Sequence, residues 1–303
     1  MSNGPGSAAG AVLAVGETMA VVAPTFSEPF ARAEQFRVDA GGAESNVAAH
    51  VVALGHPARW FSRVGSDALG VRVLDQLRRR GVQVDDVMVD SEHPTGLYVK
   101  DPGAAVTYYR AGSAASCLGP ADAQRVELAG VRVLHVSGIT AAISTSAAQF
   151  LDALIEHAHR EEVLVSFDVN HRRSLWAVDR AAAALDILVR RADLVFVGRD
   201  EAQLLWGTET ARDVHARFAD VPELVVKDAE IGATWFGAST EIFAPALPVE
   251  VLDAVGAGDA FAGGFLAALL DGVPVGARLR AGHARAALTL RTTGDTFDEG
   301  IPT

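Results

Sequence analysis

At 303 residues, half of them apolar, the chain is long enough to bury one large core, or one core with a smaller appendage. A formal net charge of -12 opposes broad attraction to nucleic-acid phosphate or anionic lipid, so neither nucleic acid nor membrane is expected as a partner. The single cysteine, Cys117, excludes an internal disulfide and a thiolate metal cluster, which fits a reducing compartment and a cytoplasmic protein.

Residues 1–10 are small and polar without a basic residue; they lack the charged start of a secretory signal and are expected to be a disordered tail. An apolar run over residues 11–16 closes on Gly16 as a buried strand, and helix-type spacing over 44–54 ends at Gly55 in a C-terminal cap position. Residues 60–64 are expected as a second strand, and Asp67 caps a helix that runs through Arg80 and stops at Gly81. The alternation continues through strand 131–136, helix 145–160, strand 163–167, helix 178–190 and strand 193–197. These strands are rich in Val and Leu without strict alternation, the pattern of a mainly parallel sheet covered on both faces by helices, so the fold class is α/β. Strand 224–227, a hairpin within 233–243, and helices over 257–270 and 275–291 complete the C-terminal part.

Two stretches break this rhythm. Residues 18–38 place Val21, Val22, Phe26, Phe30 and Phe36 among turn residues, and residues 95–110 alternate around the turn signal Asp101-Pro102-Gly103. Together they are expected to form a small sheet lying over the main domain as a lid.

The strongest chemical signal is Asp253-Ala254-Val255-Gly256-Ala257-Gly258-Asp259-Ala260-Phe261-Ala262-Gly263-Gly264-Phe265. Glycines at 256 and 258 let the backbone approach a ligand, and a helix starting there aims free N–H groups at an anion. Asp259 is electrostatically at home in a first helical turn, which is the plain structural explanation for it. A carboxylate beside a phosphate cradle would, however, repel phosphate, and its presence makes more sense if it accepts a proton from an attacking hydroxyl. A Walker loop is excluded because the chain has no Gly-Lys pair, and a dinucleotide fingerprint would need glycine where Phe261 stands.

Residues 253–265 resemble the C-terminal signature of the ribokinase-like (PfkB) carbohydrate kinases, and Gly41-Gly42-Ala43-Glu44-Ser45-Asn46 resembles the N-terminal glycine-glycine motif of that family. The resemblance implies a ribokinase-like three-layer α/β/α sandwich over residues 11–303, with a discontinuous β lid from about 18–38 and 95–110. It implies an enzyme that uses ATP and Mg²⁺, with Asp259 as catalytic base and Gly256, Ala257 and Gly258 as the anion hole. Gly41, Gly42 and Asn46 would belong to the sugar site, and Lys227, Gly232, Gly256 and Gly258 to the nucleotide site. Two departures bear on the metal network: Ala254 stands where relatives commonly have threonine, and Gly198 where they have an asparagine before the glutamate at Glu201. Glu201 and Asp253 are the candidates near a metal, and a monovalent cation such as K⁺ beside Asp253 and Ala254 is a further implication.

Within the family, Gly16-Glu17-Thr18-Met19, residues 108–115 and residues 167–176 look most like 2-keto-3-deoxygluconate kinases. A sugar acid carries a carboxylate and a guanidinium offers a planar fork to hold it, which nominates Arg110 and Arg172; the plain alternative for each is a solvated surface charge. By resemblance Gly42, Tyr98, Tyr108, Arg110, Ile139 and Arg172 would line the sugar pocket. The rivals are a kinase for a neutral sugar such as fructose or ribose, a nucleoside kinase, and, from another class, a non-catalytic sugar-binding sensor. Convergence of Arg110 and Arg172 on one pocket separates the first reading from the neutral-sugar kinase. The expected partners are a sugar or sugar acid and ATP, with self-association through the lid edge.

Overall fold

The structure is a computed structural model that describes residues 10–101 and 106–292; most of the expected tail, and the turn residues Pro102 and Gly103, lie outside the described residues. An eight-stranded sheet forms its centre, in the order Glu241–Pro245, Gly232–Phe236, Glu223–Asp228, Leu194–Gly198, Leu164–Asp168, Val131–Ser137, Ala11–Val15 and Ala58–Phe61. From Ala58–Phe61 to Glu223–Asp228 the neighbours are parallel, and the terminal hairpin is antiparallel. Successive side chains point to opposite faces of a strand, so each strand feeds two cores. Leu13, Leu134, Phe167 and Val195 pack on the face that holds helices Thr145–Arg160 and Val178–Val189, while Val12, Val133, Phe196 and Val225 pack with helices Ala43–Ala53 and Ala257–Leu270. The result is the expected three-layer α/β/α sandwich.

A separate four-stranded sheet joins the two irregular stretches in the order Phe36–Gly41, Met19–Pro24, Leu97–Val99 and Thr107–Tyr109. Its first strand runs on to Gly41, so the glycine pair passes directly from this sheet into helix Ala43–Ala53.

The strand expected over 60–64 is in fact two. Ala58–Phe61 joins the large sheet, whereas Arg63–Gly65 pairs with Met88–Asp90 in a two-stranded sheet. The part-buried Arg63 guanidinium, held by Asp122 at 2.9 Å and Asp90 at 3.5 Å, anchors the diverted segment. Short helices Gly138–Ile143, Arg199–Trp206 and Ala211–Arg217 also stand where no element was expected; one or two turns carry too few apolar repeats to show a period. Among the described residues no helix is long and apolar enough to cross a membrane.

Parallel strands bring their C-terminal ends to one rim, and here Asp168 and Gly198 end two strands and Lys227 stands one residue before the end of a third, beside the start of helix Ala257–Leu270. Ligands of open α/β sheets bind outside this edge.

Candidate active site

A cavity of about 750 Å³ is lined by residues of this rim and of the small sheet, and a second of about 650 Å³ adjoins it; the two share Lys227, Ala254 and Gly258. At the junction Gly256 adopts φ 80°, a left-handed conformation that disfavours any side chain, and caps helix Ala257–Leu270. The first-turn amides have no intrahelical acceptor, so the junction offers donors and the positive end of the helix dipole. Asp259 belongs to that same turn and lines the larger cavity.

The opposite wall is set by Gly42, where a Cβ would lie 2.5 Å from the Glu17 carbonyl oxygen. That close crossing starts helix Ala43–Ala53 in the orientation that carries Asn46 to Asp259, whose Oδ2 accepts from the Asn46 amide at 2.9 Å. Burial pushes the Asp259 carboxyl up to about 7, against the Asn46 hydrogen bond and the nearby Arg172 charge, both of which favour the ionised form. Asp259 can therefore hold or release a proton near neutral pH.

Lys227 donates to Asp168 at 2.8 Å. Burial disfavours its charge, but Asp168 and the charges of Glu201 and Asp259 together hold the ammonium above its ordinary value. Glu201 accepts from the His171 amide through one carboxylate oxygen and from the Gly198 amide at 3.2 Å through the other. Burial, reinforced by the Asp168 charge, pushes its carboxyl up to about 7. Asp253 accepts from the Val255 amide at 2.9 Å and lies 3.9 Å from Lys100. Among the described residues no three His, Cys, Asp or Glu side chains cluster as metal ligands.

Gly41, Gly42, Asn46, Tyr98, Tyr108, Arg110, Ile139 and Arg172, the residues expected at a sugar site, all border the larger cavity. Arg110 pairs with the buried Glu17, which also accepts from the Ser113 hydroxyl at 2.5 Å. The Arg110 guanidinium sits 5.8 Å from the Tyr108 ring centre, and the Tyr98 and Tyr108 rings are 5.6 Å apart. Arg172 is exposed and has no ion pair among the described residues. Gly232 borders the second cavity together with Lys227. The family profile for pfkB family carbohydrate kinases matches residues 10–302.

The chain belongs to the PfkB family of carbohydrate kinases. It is 35% identical to the 2-dehydro-3-deoxygluconokinase of Bacillus subtilis (strain 168), over 95% of this chain and 91% of that one. To the enzyme of the same name from Thermoproteus tenax it is 33% identical, over 98% and 93%. The 2-dehydro-3-deoxygluconokinase structure from Thermotoga maritima superposes with a TM-score of 0.86 at 25% identity, covering 95% of this chain and 94% of that one.

Several residues of this carbohydrate kinase's cavity had not been singled out from the sequence as site residues, Glu17, Lys100 and Asp168 among them. Glu17 follows the glycine that closes the first strand, and Asp168 ends a strand; an acid at the C-terminal end of a parallel strand was the available signal.

Proposed function

We propose that the kinase transfers the γ-phosphoryl group of ATP to a hydroxyl of 2-keto-3-deoxygluconate, with Asp259 as general base. The observation that carries this reading is the position of Asp259: its carboxyl is poised near 7, it lines the acceptor cavity, and it sits in the helix turn that separates that cavity from the second one. Asn46 holds Oδ2, leaving Oδ1 to take the hydroxyl proton as the oxygen–phosphorus bond forms and ADP leaves. The N–H groups around Gly256, Ala257 and Gly258 face the charge carried by the phosphoryl group in transit.

The nucleotide belongs in the second cavity, where Leu247, Val249, Val251 and Leu290 offer an apolar slot for a base and Gly232 leaves room beside Lys227. Mg²⁺ would supply neutralisation of phosphate charge. Asp168, Asp253 and Glu201 are each engaged by protein donors, which suits an ion carried in on the phosphates with most of its water and not one held in a protein cage. A monovalent cation such as K⁺ beside Asp253 and Ala254 belongs to the same proposal.

Arg110 and Arg172 converge on the acceptor cavity, which supports a sugar acid, as do the printed activities of the relatives. One observation favours a neutral sugar instead: Glu17 already compensates the charge of Arg110. The two are separated by ATP consumption with Mg²⁺ across 2-keto-3-deoxygluconate, its C4 epimer, fructose, ribose and adenosine, with Asp259→Asn alongside. Selective turnover of a keto acid that collapses in Asp259→Asn supports both substrate and base. Turnover of a neutral sugar alone removes the carboxylate argument, turnover of adenosine points to a nucleoside kinase, and sugar binding without any turnover favours the sensor.

A further inference from the structure

Glu44, the acid in the first turn of helix Ala43–Ala53, is entirely buried. A first-turn acid is favoured by the helix dipole even at the surface. This one turns inward instead, to a place that the backbone keeps open for it: a Cβ on Gly16, just beyond strand Ala11–Val15, would overlap the carboxyl. Its Oε1 accepts from the Ser137 hydroxyl at 2.6 Å and from the Thr140 hydroxyl at 3.3 Å. Ser137 in turn accepts from the Ile139 amide at 3.2 Å and caps helix Gly138–Ile143. Oε2 is buried with no hydrogen-bond partner among the described residues. Burial pushes the carboxyl up to about 6, against the Ser137 hydrogen bond, the Arg110 charge and the Thr140 hydrogen bond.

A charge so placed is an unfavourable way to fill space, and an apolar side chain of the same volume would pack there more easily. What the carboxylate adds is a fixed link between two elements of the larger cavity's wall. Helix Ala43–Ala53 borders that cavity through Ala43 and Asn46, and helix Gly138–Ile143 borders it through Ile139. Residues two apart on a helix point about 200° apart, so the grip on Glu44 fixes the rotation of its helix and with it the direction of Asn46, which reaches Asp259 on the other side.

We propose that Glu44 is a positioning residue for phosphoryl transfer: its carboxylate, by gripping Ser137 and Thr140, holds helix Ala43–Ala53 at the rotation that keeps Asn46 on Asp259. Glu44 borders neither cavity and acts only through Asn46. This rests on the kinase reading given above. The sign of its effect on Asp259 separates positioning from charge. The charges acting most on Asp259 come from Arg172, Asp168 and Lys227, none of them on helix Ala43–Ala53. Removing the negative charge of Glu44 would by itself lower the Asp259 pKa, whereas letting Asn46 swing away removes a donor that favours the ionised form and raises it.

The test compares wild type with Glu44→Ala, Glu44→Gln and Ser137→Ala, by turnover and by a carbon NMR titration of the Asp259 carboxyl, which needs no turnover. Glu44→Ala is expected to lower kcat by about 10- to 100-fold, the scale of about an ångström of misplacement, with the acceptor KM within a few fold, and to raise the Asp259 pKa. Glu44→Gln keeps an accepting oxygen without the charge; it should recover most of the rate and leave that pKa at or below its wild-type value. Ser137→Ala, a milder change that keeps the proposal open to test where Glu44→Ala does not fold, is expected to move both readings the same way. Combined with Glu44→Ala it should add nothing further. The proposal is overturned if Glu44→Ala lowers Tm alone, if it leaves the Asp259 pKa in place or lowers it, or if Glu44→Gln is as slow as Glu44→Ala. A fully active Asp259→Asn sinks the base assignment alone, and the NMR titration still reads the hold of Glu44 on Asn46.

Discussion

Asp259 titrates near 7 because burial disfavours its charge more than Asn46 and Arg172 favour it. If Asp259 is the base proposed above, kcat/KM, which reports the free enzyme, is expected to fall as pH drops below about 7, when its carboxyl becomes protonated. Asn46→Ala removes a donor that favours the ionised carboxyl, so the acid limb should move to higher pH; a limb that stays in place would mean another group controls the rate. The same shift has a cost in stability. The folded-state pKa is raised from the ordinary 3.8, so the associated stability is full below that value and is lost as pH rises through about 7. Asp259→Asn should therefore abolish turnover yet raise Tm, and by more at pH 8 than at pH 5, which a melting series at the two pH values checks. For the acceptor, Arg172→Ala is expected to raise KM for the keto acid by about 10- to 100-fold, the usual weight of a hydrogen bond to a charged group, and to leave KM for a neutral sugar unchanged. Asp259, Asn46 and the glycines could be read from motif, but the engagement of Arg110 by Glu17 could not, since the partners are far apart in sequence and meet only when the small sheet folds back.

The helix Ala257–Leu270 places the proposed anion hole, and its seat depends on two glycines. A Cβ on Gly263 would lie 2.5 Å from the His50 Cβ of helix Ala43–Ala53, and one on Gly264 would lie 2.6 Å from the Ala281 carbonyl oxygen of the following helix, Val275–Thr289. His50 is itself buried and neutral, its pKa pushed down to about 3 by burial and by the Arg285 charge, and it accepts from Arg285 Nε at 2.8 Å. Gly263→Ala must push the two helices apart, and with them Asn46 from Asp259. It is expected to destabilise the fold by about 1–3 kcal/mol and to lower kcat, measured by urea unfolding and by turnover in the same preparation. The long helices were legible because several turns of apolar spacing set their period. The short ones were not, although Thr210 and Asp213 form a capping box that a search for caps alone could have found.

At the scale of the whole molecule, the small sheet ends in the exposed strand Thr107–Tyr109, which has no partner on its outer side among the described residues and can accept another strand there. Self-association through that edge is a proposal. Sedimentation should show wild type as a dimer or larger and Tyr109→Lys as a monomer, and a monomeric wild type would discard it. The layered α/β fold, the small accessory sheet and the glycine turn with its aspartate were all readable from local pattern, because strand and helix periods and glycine-rich turns are set by neighbours in the chain. The division of residues 58–65 between two sheets, the contact of Asn46 with Asp259, and the meeting of both lysines and both arginines at one cavity depended on the folded chain. The reason is physical: a pKa near 7 and a pocket's charge balance arise from desolvation and from contacts between residues more than a hundred positions apart, and neither leaves a trace in local sequence.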